Sequence, residues 1–202
     1  LHAAVWATKL SDITGNNTDM FGGNTTAENI VLQPAPEDGW EITTEVTLPF
    51  TGKDYEQAGL MVHGGDADWA KLMFIKVPEN DGRQVEFTLQ DNGSASFDPA
   101  LDRSEFLPES FPDTIHLRIR SDGTSLTAAY SEDGTEWTDV GRVRPAGAIP
   151  DPRIGVAAFN GDGSGNEAEF EHFHVGPLDV EPTCTEPEAP DPGYEMLFDG
   201  TA

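Results

Sequence analysis

Cysteine is almost absent. The single thiol among 202 residues, Cys184, closes no internal disulfide, so a partner would have to lie elsewhere in a longer parent chain. Its acidic surroundings raise a thiol pKa, which argues against catalysis at that position. Cations are scarce as well. Eleven Lys and Arg face 37 Asp and Glu, a formal net charge of −26. Such a chain repels both a phosphate backbone and an acidic bilayer, so nucleic acid and membrane are excluded as expected partners. No run of eighteen apolar residues occurs, so no spanning helix is expected. The N-terminus carries no signal-peptide pattern and reads as though cut from something longer. Walker, Rossmann and nucleophile-elbow motifs are missing, and the Gly161–Gly165 run lacks the following helix and basic residue of a phosphate cradle. The acidity itself has three open readings: a solvated surface, a salty habitat or bound divalent cations.

What is present is the usage of a turn-rich all-β protein, with 21 Gly, 15 Pro and 11 Phe. Trp40, Ile42, Thr44, Val46 and Leu48 alternate with Glu41, Thr43, Glu45 and Thr47, which predicts a half-buried antiparallel strand. Ile115, Leu117 and Ile119 alternate in the same way with His116, Arg118 and Arg120. Gln84–Gln90 reads as a strand with Val85, Phe87 and Leu89 inward. Arg153–Asn160 and Ala168–Val175 read as later strands, and Leu1–Leu10 as a strand or an irregular lead-in. Thr14–Asn29 and Asp91–Pro112 read as long loops, the latter of a length often functional or mobile. Gln57–His63 and Trp69–Val77 flank Gly64-Gly-Asp-Ala-Asp68, the pattern of a hairpin. Neither face of its second strand is cleanly polar, so both are expected to be covered, as at the centre of a sandwich.

That hairpin, Ala58-Gly-Leu-Met-Val62 with Trp69-Ala-Lys-Leu-Met-Phe74, resembles the concanavalin A-like sandwiches appended to family 43 glycoside hydrolases. Asn29–Val46 resembles the opening of the same domains, and Arg153–Gly161 with Ala168–Val175 their closing strands. The resemblance covers roughly residues 29–176. It implies an all-β fold, a two-sheet antiparallel β-sandwich of the concanavalin A-like jelly-roll kind, from a secreted, multi-domain bacterial sugar-processing protein. Ser131-Glu-Asp-Gly-Thr-Glu-Trp137 resembles the Asp-box turn of sialidases, a structural motif. The domain is taken as residues 1–178, followed by a Pro/Glu-rich linker at 179–193. Residues 194–202, with Leu197-Phe-Asp-Gly-Thr201, resemble the start of a 3-keto-disaccharide hydrolase-like domain.

Carbohydrate, as an oligo- or polysaccharide, is the expected ligand, and neighbouring domains of the parent chain are the other expected partners. Sugars stack their C–H faces on aromatic rings while amides and carboxylates fix the hydroxyls. Trp69 beside Asp66, Asp68, Lys71 and His63 is the candidate platform, set against the alternative that Trp69 packs beneath a loop. Structural calcium is the expected cofactor, with Asn160, Asp162, Asn166 and Glu171 as oxygen donors. Glu169 and Glu171 form a same-face acidic pair, read as a solvated or cation-binding edge. His172 and His174 share a strand face, read as surface histidines for want of a third metal ligand. No carboxylate pair is placed for acid/base hydrolysis. The chain is therefore expected to be non-catalytic, with a hydrolase or lyase of the same fold and a structural spacer as alternatives.

Overall fold

The computed structural model describes residues 5–12, 19–21, 24–25, 29–78, 82–96, 105–141, 143–160 and 166–178. The linker and following-domain expectations, 179–193 and 194–202, lie outside the described residues. Two antiparallel sheets form the body. The first runs β1 (Val5–Asp12), β16 (Asn166–Pro177), β5 (Trp40–Thr47), β11 (Thr114–Ser121), β12 (Ser125–Ser131) and β13 (Thr138–Asp139), with β14 (Arg144–Pro145) also on β12. The second runs β10 (Glu105–Leu107), β8 (Gly82–Asp91), β7 (Asp68–Val77), β6 (Glu56–Gly65), β15 (Arg153–Asn160) and β4 (Ile30–Pro34), with β9 (Ser94–Ser96) on β8. A small ribbon, β2 (Met20–Phe21) with β3 (Asn24–Thr25), falls in the stretch expected to be loop, and a 3-10 turn spans Ala146–Ala148.

Alternation dictates the core. Ile42 and Val46 from β5, Leu60 and Val62 from β6, Leu72 and Phe74 from β7, Phe87 from β8 and Ile115, Leu117 and Ile119 from β11 point between the sheets and are buried. Each such side chain contributes about 1.5–3 kcal/mol by leaving water. Thr44 also points inward, and its hydroxyl donates to the His172 carbonyl at 2.5 Å, beside the register shift between Phe170 and His172. A jelly roll needs strands distant in sequence to become neighbours, and here β16 lies beside β5 and β15 beside β6.

Sheet two is unusual in being covered on both faces. β7 is buried from Trp69 to Val77, inward and outward positions alike. The outward positions of β6, β7 and β15 supply a second apolar cluster: Met61, Trp69, Met73, Ile75, Ala157 and Phe159, joined by Met20. That second cluster positions the candidate site.

Candidate functional site

On the outer face of sheet two, strand register arranges side chains in rows. One row runs Arg153, His63, Trp69, Gln90 and a second runs Met61, Lys71, Thr88. Lys71 sits at the centre of β7 and is 3% exposed. Its ammonium stands 3.0 Å from Asp19 Oδ1 and donates to Gln57 Oε1 at 3.0 Å. It lies 5.5 Å from the ring centroids of both Trp69 and Phe159. A buried lysine persists only when paired in this way. Gln57, Thr88 and Gln90 are buried on the same face.

Trp69 is fully buried, not an exposed platform. The alternative weighed for it, packing beneath a covering segment, is what the structure has. Its indole Nε1–H nevertheless has no hydrogen-bond partner among the described residues. Asp66 and Asp68 belong to the hairpin turn. Asp68 Oδ1 accepts the Asn92 N–H at 2.8 Å, and the Asp66 carbonyl accepts from Gln90 Nε2 at 3.0 Å. His63 borders the face half-buried. Burial pushes its pKa below the ordinary imidazole value, nearby Asp66 works in the opposite direction, and Arg153 adds to the lowering. Of the five residues expected at this site, the sheet therefore gathers Trp69, Lys71 and His63, while the two aspartates cap the turn beyond them. Asp19 and Phe159, from distant segments, complete the face, and only the chain reversal reveals them.

The expected calcium ligands separate. Asn160 ends β15 opposite Glu56, and Asn166 opens β16, both buried. Asn166 Nδ2 donates to the carbonyls of Phe159 at 2.8 Å and Gln57 at 3.2 Å, while Asn166 Oδ1 is buried without a partner among the described residues. Glu171 stands at the bulge five residues farther along β16, roughly 16 Å away at about 3.3 Å per residue, and is exposed. It is not brought to the same place. Asp162 lies outside the described residues. No group of three His, Cys, Asp or Glu at metal-binding separation occurs among the described residues.

A buried carboxylate that sequence reasoning missed is Glu56, at the start of β6. Its oxygens accept the Thr51 N–H at 2.9 Å and the Thr51 hydroxyl at 2.6 Å, so it ties the β5–β6 loop to the sheet. Beside this loop lies a cleft of about 470 Å3, with Phe50, Lys76, Arg83, Phe106, Leu107 and Glu109 among its lining residues. Arg83 is held by the Phe111 carbonyl at 2.7 Å and Asp113 at 2.8 Å, and its guanidinium lies 5.1 Å from the Phe50 ring centroid. Phe106 is 53% exposed.

Residues 4–178 match the profile of the family described as "Protein of unknown function (DUF1349)". The chain belongs to the DUF1349 family. Among solved structures, this DUF1349 chain is similar to the GH43 protein BlXynB of Bacillus licheniformis, with a TM-score of 0.65 and 16% identity over 79% of this chain and 31% of that one. It is similar to a xylan beta-1,4-xylosidase from Bacillus Halodurans, TM-score 0.63 and 19% identity, over 73% and 30% of the two chains. A functionally unknown protein from Saccharomyces cerevisiae matches over 86% of this chain and 91% of its own length, TM-score 0.63 and 17% identity. The fold is thus the β-sandwich that accompanies GH43 proteins, and the DUF1349 chain spans about a third of the length of the GH43 proteins it matches. No curated protein matches it in sequence.

Proposed function

We propose that the chain is a non-catalytic, carbohydrate-associated module of a larger, secreted sugar-processing protein, and that it contacts sugar through the outer face of sheet two. The observation that carries this reading is the Trp69 indole N–H, fully buried without an acceptor among the described residues, on a face that also gathers Lys71, Gln57 and Gln90. A buried donor left unpaired costs about 1–3 kcal/mol, and a sugar hydroxyl accepting from it relieves that cost. Trp69 here acts as a donor rather than a stacking platform. Met20 belongs to the cluster covering the face, so the sugar reaches Nε1 by displacing that part of the cover. The GH43 likeness supports the sugar class but not a particular glycan.

The test is Trp69→Phe, which keeps an aromatic ring and deletes the donor. Binding to a panel of neutral oligosaccharides, measured by calorimetry, should weaken about tenfold, the equivalent of one hydrogen bond at roughly 1.4 kcal/mol. Stability should fall modestly, because the smaller ring leaves a cavity at a fully buried position, a cost partly offset by removing the unpaired donor. Unchanged affinity would refute the role given to Trp69. Release of reducing sugar by the purified chain would refute the non-catalytic reading.

Structural calcium belongs to the same proposal. Asn166 Oδ1, a buried oxygen without a partner among the described residues, suits a hard cation; of the other described members of the expected set, Asn160 is buried nearby in sequence and the exposed Glu171 lies too far along β16 to join it.

A further inference from the structure

The pairing of Lys71 constrains what the outer face of sheet two can bind. Its ammonium is buried at the centre of β7, 5.5 Å from the centroids of the Trp69 and Phe159 rings, and its negative partner is Asp19. Asp19 lies far from β7 in the chain, and its Oδ1 collects three donors. These are Lys71 Nζ at 3.0 Å, the Met20 N–H at 2.7 Å and Gln57 Nε2 at 3.4 Å. The pair is lopsided. The Lys71 side chain is 4% exposed and that of Asp19 20%, so the carboxylate is the half that meets solvent.

Met20 belongs to the same apolar cluster as Trp69, and a ligand that reaches the indole N–H shifts it. Asp19 is the chain neighbour of Met20 and accepts its N–H, so the carboxylate is withdrawn from Lys71 in the same movement. That leaves a buried ammonium without its counter-charge, a far heavier cost than an unpaired neutral donor. A sugar hydroxyl accepts a hydrogen bond from Lys71 but does not restore the charge. A ligand carboxylate does both, and between two rings and away from water the attraction is little screened. One carboxylate then replaces another, so the charge of the face is unchanged.

The wider molecule works against any anion, since its formal net charge is −26. That repulsion acts at long range. With a Debye length of about 8 Å at physiological salt, distant acids are screened while the contact with Lys71 is kept.

We propose that the ligand of this face is an acidic sugar, a uronic acid residue whose carboxylate takes the place of Asp19 on Lys71 and Gln57 while a hydroxyl accepts from the Trp69 indole. The 5.5 Å between Lys71 Nζ and the Trp69 ring centroid is a span that one sugar ring bridges. Asp19 is then an internal competitor that fills the carboxylate position when no ligand is there. This ligand class rests on the carbohydrate-associated reading above and narrows it: a neutral sugar finds the indole donor alone, and an acidic one finds both.

The experiment is calorimetric titration of the full chain at physiological salt with trigalacturonate and with its methyl ester, which differ in charge more than in shape. Wild type, Asp19→Asn and Trp69→Phe are compared. Trigalacturonate should bind the wild type about tenfold tighter than the ester, and Asp19→Asn should add about tenfold more for the acid and far less for the ester, because the competing charge is gone. Asp19→Asn should also melt lower, and trigalacturonate should raise its Tm more than that of the wild type. In the wild type the Trp69 indole N–H resonance should move on addition of trigalacturonate, a readout that does not depend on a variant folding. Equal affinity of the wild type for acid and ester, or no gain for the acid in Asp19→Asn, would overturn the acidic ligand. Ester binding that Trp69→Phe weakens, with no preference for the acid, would overturn it while leaving the carbohydrate reading standing. Binding of neither compound by wild type and Asp19→Asn alike would overturn it too, and together with a negative result on the neutral panel would remove the carbohydrate reading as well.

Discussion

At the scale of the residue, burial separates side chains that the sequence sets side by side. Asp66, Asp68 and Trp69 are adjacent in the chain, yet the aspartates sit at the turn and Trp69 is sealed within the outer face. The seal depends on Met20, and the pairing of Lys71 depends on Asp19, about fifty positions away. Local pattern holds no information at that range: the mixed faces of the strand leave Trp69 open between an exposed platform and packing beneath a loop, and they cannot name Met20 or Asp19 as what covers and pairs the face. Glycine tells a similar story in reverse. Gly59 reads as an ordinary small residue, but a Cβ there would collide with the Leu72 carbonyl oxygen and stand 3.0 Å from the Leu72 carbonyl carbon and Met73 Cα. Backbone cannot yield as a flexible side chain can. Gly59→Ala should therefore cost about 1–3 kcal/mol, a fall in Tm of roughly 3–10 °C by thermal melting. Gly147, where a Cβ meets nothing within 4 Å, is the control, and Gly147→Ala should leave Tm nearly unchanged. Equal effects at the two positions would contradict this account of Gly59.

At the scale of the element, the strands were legible because alternation is a local property. β5 and β11 alternate buried and half-buried residues as expected, and the hairpin β6–β7 lies where the Gly/Asp turn predicts. The turn after β12 was legible for the same reason. Asp133 Oδ1 accepts the N–H groups of Thr135 at 2.8 Å and Glu136 at 3.0 Å, and Ser131 Oγ accepts the Gly134 N–H at 2.9 Å. Gly134 takes a left-handed φ of 76°, and Trp137 is pinned under the Arg118 guanidinium at 4.1 Å. These bonds, that from the Glu136 N–H foremost, hold the Asp133 carboxyl well below the ordinary carboxylate range. A depressed pKa in the folded state gives stability that is complete above the unfolded value of about 3.8 and is lost as pH falls through the folded one. The Tm difference between wild type and Asp133→Asn should accordingly be constant above about pH 5 and shrink below pH 4. A difference that does not change across that range would mean the charge on Asp133 plays no part in the turn.

At the scale of the whole molecule, the sandwich follows from the order of the strands, since β16 must return beside β5 and β15 beside β6 to cover both inner faces. What the strand pattern does not fix is how the molecule tolerates its own charge. Thirty-seven acids against 11 cations repel one another across its surface, and the folded state concentrates that repulsion. Two remedies differ in kind. Screening by monovalent salt is general: between about 10 mM and 1 M the Debye length falls from roughly 30 to 3 Å, so Tm should climb with NaCl. A bound calcium ion is specific, because it acts by mass action on the folded state alone and saturates. At a hundredfold excess over Kd it would add about 2.7 kcal/mol, equivalent to roughly 5–10 °C in a chain of this size. The discriminating measurement is a melting curve in millimolar CaCl2 against NaCl of matched ionic strength, each with and without EDTA. A calcium increment above the matched salt, abolished by EDTA and diminished in Asn166→Ala, supports the ion. If calcium does no more than NaCl, the acidity is answered by screening alone, and the unpaired Asn166 oxygen is no part of a calcium site.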